Sequence, residues 1–233
     1  MTSDVVLGLL AVLGIALVLS PIALQAFVLS RAKRAQLVSE PAEVVPRGGW
    51  PLSGAMQALG FQPVSAIRVV APTVPEQHCL LFVHPDLASF ARLWVGPDGK
   101  TGGYSIQSPI AGGTLCTGMD AVDAVDDREL LQVFPGAAPQ ELLRHHVEAQ
   151  WFLAGLGVEG RPVVAGDADG RFRAEWAAEL ETVARRGWRF TVSSAYRSAL
   201  KLPRWKGPLA EQRDVHQRVR AVRARGAAEP PHW

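Results

Sequence analysis

Cysteine is nearly missing from this chain: Cys79 and Cys116 are the only two in 233 positions. Two thiols cannot build a disulfide framework, so the fold must rest on an ordinary hydrophobic core. Basic side chains are missing from the first 30 positions, where Asp4 is the only charged residue. A secretory leader normally opens with a basic segment, and its absence weighs against cleavage, although Leu24–Ala26 has the small-residue pattern of a cleavage site. There is no phosphate-binding P-loop and no GxSxG. No repeat of solenoid period occurs either.

What is present begins with an uncharged run from Val5 to Leu29, in which only Ser20 and Gln25 are polar. About 20 apolar residues span a bilayer core as a helix, so the run is long enough to cross, with tilt or a kink at Pro21 absorbing the surplus. Arg31, Lys33 and Arg34 follow it directly. The positive-inside rule then predicts a single-pass protein of the cell membrane, with its amino terminus outside and the rest in the cytoplasm. Residues 1–34 read as anchor and basic stop, and 35–51 as a linker rich in Pro and Gly.

Charge divides the remainder. Residues 41–170 carry 7 Lys/Arg and 14 Asp/Glu, whereas residues 171–233 carry 14 Lys/Arg and 6 Asp/Glu. This predicts an acidic folded module over 52–170 and a basic, mostly helical segment over 171–233. The basic segment interleaves Trp188, Lys201, Arg204, Trp205 and Lys206. Indoles favour the headgroup level of a bilayer, and basic side chains favour anionic lipids. The expected contact is therefore the membrane surface, through these residues and Arg31, Lys33 and Arg34. Nucleic acid is the less favoured partner, and a solvated basic face with its tryptophans in the core is the plain alternative. No protein partner is named by the sequence.

The pattern within the module predicts helix over 52–61, strands over 64–71, 78–85, 89–95, 104–108, 112–118 and 130–134, and a long helix over 139–157. The apolar stripe of that helix reads as Leu143, Val147, Trp151 and Ala154. Hairpin-length connections imply an α+β domain with an antiparallel sheet and helices packed on one face. Beyond it, 171–187 reads as a helix with Phe172, Trp176, Leu180 and Val183 on one face. Residues 188–194 alternate as a strand, and 208–226 read as a helix with a Val215, Val219 and Val222 stripe.

Candidates for chemistry are sparse. His78 and His84 share a strand face but stand about 20 Å apart, too far for one metal ion. His145 and His146 point about 100° apart on a helix, which fits its surface. No cofactor or metal site is expected. Cys116, in the glycine-flanked "GGTLCTG", is the most enzyme-like position, and a nucleophile role would need His145 beside it and a lowered thiol pKa. A membrane-tethered enzyme using Cys116 with His145 is thus the alternative to a binding, sensing or scaffolding module. Unpaired cysteines more commonly behave as small buried hydrophobes.

Three short motifs, "LGF" after a helix, "HP" after a strand, and "GGTLCT" followed by "FPGAAPQELLRHH", are similar to a pattern in uncharacterised bacterial membrane-anchored proteins of unknown function. The resemblance covers about residues 52–150. It implies one module there and assigns no functional residue.

Overall fold

The structure, a computed structural model, describes residues 34–44, 50–71, 76–119, 129–199 and 205–228. The expected span, with Arg31 and Lys33, lies outside these, as do Lys201 and Arg204. Among the described residues no helix is long and apolar enough to cross a membrane.

Seven strands form one sheet in sequential order: β1 (Gln36–Glu40), β2 (Gln62–Val70), β3 (Gln77–His84), β4 (Ser89–Val95), β5 (Thr101–Ile110), β6 (Gly113–Gly118) and β7 (Glu129–Val133). Five neighbouring pairs are antiparallel and the last, β6 with β7, is parallel. The parallel pair departs from the all-antiparallel expectation. Ten positions, 119–128, separate β6 from β7. That is too long for a tight hairpin, and it brings the chain back to the end of the sheet where β6 began.

Among the described residues four helical stretches complete the fold: α1 (Trp50–Ala58), α2 (Pro139–Gly155), α3 (Ala168–Ala199) and α4 (Val215–Ala228). Here the one-face expectation fails. On the front face Met56 of α1 and Leu142 of α2 pack with Leu80, Phe82, Leu93 and Ile106. Leu153 of α2 and Val215, Val219 and Val222 of α4 continue that layer over Leu115 and Leu130. On the back face α3 lays Phe172 and Trp176 over Ile67, Cys79, Leu81, Val83 and Phe90. The cause is visible in β3, buried on both faces along nearly its whole length. A strand with apolar side chains on both faces needs a layer on each.

The segment 35–51 is not all linker, because Gln36–Glu40 is the edge strand. Glu40 accepts from Arg68 Nε at 2.5 Å, and Arg173 of α3 donates to Leu37 O at 2.8 Å and Ser39 Oγ at 2.7 Å. These long-range contacts hold a strand too short and polar to announce itself. The break drawn at residue 170 falls within the first turns of α3, which shares the sheet's core. Residues 188–194, expected as a strand, are helical. Gly187, with a φ of 73° that glycine adopts freely, divides α3 into two helices, and the first ends where the 171–187 reading ended it. A seven-residue run is too short for its periodicity to separate strand from helix.

The sheet has two distinct ends. Gln36, Val70, Gln77, Val95, Thr101, Gly118 and Val133 lie at one, called the Gln36 end. At the other, the β5–β6 turn through Gly112 sits with the starts of β6 and β7. An added Cβ on Gly112 (φ +80°) would stand 2.2 Å from Val222 O and 2.5 Å from Gly226 N. Glycine therefore lets this turn touch the α4 backbone. The second half of α4 is fixed at the Gly112 end in consequence, and Arg225 Nε donates to Gly112 O at 3.3 Å.

Candidate functional site

Cys116 and His145 are not brought together. Cys116 sits on the back face with Leu131, Val133 and Trp205, and is 3% exposed. His145 belongs to α2 on the front, stacked on Phe134 at 3.9 Å with Glu148 at 3.0 Å from its Nδ1. Burial pushes the Cys116 thiol well above its ordinary range, and nearby Glu129 pushes it further. That is the reverse of what a nucleophile needs. Glu141, one turn before His145, is 4.0 Å from it at the surface. His78 and His84 stand at opposite ends of β3, and no metal-holding cluster occurs among the described residues.

His146, expected on the surface, is fully buried. Its Nε2 lies 2.9 Å from Ser108 Oγ and its Nδ1 2.8 Å from Thr117 Oγ1. Ser108 Oγ also meets Ser89 Oγ at 2.7 Å and accepts from Gln150 Nε2 at 2.8 Å. Gln132 Nε2 donates to Thr117 Oγ1 at 2.7 Å and to His145 O at 2.9 Å, while its Oε1 accepts from Leu209 N at 2.9 Å. Burial lowers the imidazole pKa to about 3, so the ring is neutral. A neutral ring between two hydroxyls satisfies both nitrogens, one as donor and one as acceptor. Ser89, Ser108 and Thr117 are buried as well, so the network clamps α2 to the sheet and offers no surface to a substrate. Its signal was available in the sequence: Ser108, Thr117 and Gln132 occupy inward positions of otherwise apolar strands.

The back face holds charges instead. Arg92, 7% exposed, pairs with Glu175 of α3 and lies over the Phe90 and Phe172 rings at 5.6 and 5.1 Å. Arg92 Nε and Gln107 Oε1 find no hydrogen-bond partner among the described residues. Burial raises the Glu179 carboxyl and pushes the Cys79 thiol up to about 12.

Of the residues expected at a lipid surface, Arg34 and Lys206 are exposed. Lys206 bridges to Val133, at the Gln36 end. Trp205 is half-buried and packs against Cys116, Leu131 and Val133, with the Arg218 guanidinium 4.0 Å from its ring centroid. The side chain of Trp188 lies outside the described residues.

Two open clefts flank the Gly112 turn. One, about 490 Å³, lies between Arg220 and Arg223 of α4 and the turn at Gly157–Glu159. The other, about 670 Å³, lies between the start of α3 and β5–β6, and carries Arg161, Arg171, Asp167 and Glu175. The glycines at 155, 157 and 160 read G-x-G-x-x-G, but the string follows α2 and opens no helix. A dinucleotide loop needs the strand–turn–helix order, so this is a helix exit.

The chain matches no protein-family model, no curated protein and no solved structure. The fold and its surfaces therefore carry the functional reading by themselves.

Proposed function

We propose that the chain is a single-pass membrane protein whose folded part is a cytoplasmic binding or scaffolding module held close to the bilayer. One observation carries the reading: β1 begins at Gln36, seven positions after the apolar run ends at Leu29. Seven residues extend to about 25 Å at most. With Val5–Leu29 in the membrane, the Gln36 end of the sheet is held within about 25 Å of the lipid. Arg31, Lys33 and Arg34 fall within that connector, and Lys206 projects at the same end. Basic side chains at that level are attracted to an anionic leaflet, each by about 1 kcal/mol. Binding is favoured over catalysis because the two candidate reacting groups lie on opposite faces of the sheet, one of them sealed.

Carbonate extraction and protease accessibility test this reading. The full chain should stay in the membrane pellet and be digested only from the cytoplasmic side. A version lacking residues 1–33 should be soluble and melt as one unit. A mature chain trimmed near Ala26 and free in the periplasm or medium would overturn it.

A further inference from the structure

The arginines of α4 gather at the end of the sheet farthest from the anchor. The helix carries Arg218, Arg220, Arg223 and Arg225 and no carboxylate. His216, Arg220 and Arg223 recur at i, i+4 and i+7, on one flank of the helix. That flank faces α2, since the His216 ring lies 6.2 Å from that of Phe152. Arg220 and Arg223 line the smaller cleft. Across the Gly112 turn, Arg161 and Arg171 line the larger one. Close packing of Gly112 on Gly226 makes the turn a single ridge between the two. One turn before the end of α2, whose exit at Gly157–Glu159 walls the smaller cleft, Trp151 is 73% exposed, among the most exposed of the large apolar side chains described.

We propose that this end binds single-stranded nucleic acid, with phosphates on Arg220, Arg223 and Arg171 and a base stacked on Trp151. A basic groove beside an exposed aromatic ring is the arrangement that holds single strands without reading their sequence. A duplex is about 20 Å across and enters neither cleft, and α4 lies packed along its length rather than standing out to fill a major groove. An acidic peptide has the charge but no flat face for the indole. The anchoring bilayer, on the reading proposed above, is at the opposite end. The acidic groups on the cleft walls are Glu159, Asp167 and Glu175, and Glu175 is already held by Arg92. Burial lowers the Arg171 pKa, Asp167 beside it raises it, and Arg92 and Arg161 lower it.

The test is fluorescence anisotropy on the full chain in detergent, with labelled 20-nucleotide strands of dT and of U across a salt series. Parallel titrations use a duplex of the same length, polyglutamate, and mixed micelles of the same detergent with phosphatidylglycerol. The strands should bind more tightly than any of these. The logarithm of affinity should fall linearly with that of salt, with a slope of about −2 for three phosphates. Arg220→Gln with Arg223→Gln should weaken binding about tenfold or more and flatten the slope. Trp151→Ala should weaken it at least fivefold with the slope unchanged, because stacking is not ionic. Lys100→Gln, at the other end, should change nothing. All of these side chains are exposed, so melting temperatures should hold, and the pair Arg220→Lys, Arg223→Lys should keep most of the affinity. Equal or tighter binding to polyglutamate, duplex or phosphatidylglycerol micelles overturns the proposal, as does strand binding that the α4 and Trp151 variants leave intact. Detergent removes the bilayer from the measurement, so failure here leaves the anchoring proposal standing, and failure of anchoring leaves this one.

Discussion

The two faces of the sheet are closed by different chemistry. In front, α2 is fixed by a neutral network in which His146, Ser108, Thr117 and Gln132 satisfy one another. Behind, α3 is fixed by an aromatic cluster and by the buried Arg92–Glu175 pair, with polar atoms left unmatched. A neutral network costs little to bury once every group has a partner, whereas an ion pair must first recover the desolvation of two charges. The front face should therefore be sensitive to geometry and acid, and the back face to loss of apolar bulk or of one charge.

The largest expected effect is Phe172→Ala, at about 4 kcal/mol. Phe172 is nearly fully buried and touches both Trp94 and Trp176, at 5.9 and 6.2 Å between centroids. Urea denaturation measures the change. A loss under 1 kcal/mol would mean that α3 does not close the back face. Next is Glu175→Ala, about 3 kcal/mol, because it leaves the Arg92 guanidinium buried without its counter-charge. Arg92→Met combined with Glu175→Leu should recover most of that loss. If the double variant is as unstable as the single one, the pair is a net stabiliser and the contrast between the faces is reversed.

On the front face the expected signature is acid sensitivity. The His146 pKa is lowered in the fold to about 3 from an unfolded value near 6.5. Below pH 6.5 the unfolded chain takes up a proton that the folded chain refuses. Stability from this residue is complete above pH 6.5 and is lost as pH falls toward 3, by up to about 1.4 kcal/mol per pH unit. Denaturation midpoints of the parent and of His146→Gln, compared between pH 7 and 4, isolate the slope. Parallel curves would show that the ring is not sealed.

Much of this fold was legible where apolar side chains set the pattern. The strands from β2 to β7 and the valine stripe of α4 follow from alternation, turn residues and helical spacing. The parallel partner of β6 and the helix on the back face were not legible, because they depend on where a connection leads rather than on what it contains. Edge strand β1 was hidden for a related reason: contacts from Arg68 and Arg173, remote in sequence, hold it. Of the candidate site, Cys116 and His145 read together as a nucleophile and its base, and only the sheet's register and the faces of its helices separate them. The arginines of α4 were visible as charge, but their place at the Gly112 end of the sheet was not.

The phase of α2 gives the smallest and sharpest prediction. Hydropathy assigns its inner stripe to Leu143, Val147, Trp151 and Ala154, whereas the helix buries Leu142, His146, Ala149 and Leu153. The two stripes differ by about one residue, or 100°. Hydropathy counts histidine as a surface group. Here Ser108 and Thr117 supply the hydrogen bonds that let it go inside, and the helix turns to deliver it. Trp151 then stands on the solvent side and contributes nothing to the front core. Trp151→Ala should accordingly change stability by less than about 0.5 kcal/mol, the range for exposed positions away from special features. Trp205→Ala, which empties the space over Leu131 and Val133, should cost several times more. Equal losses at the two tryptophans would place Trp151 in the core after all, and would undo both the assigned phase and the exposed stacking surface that depends on it.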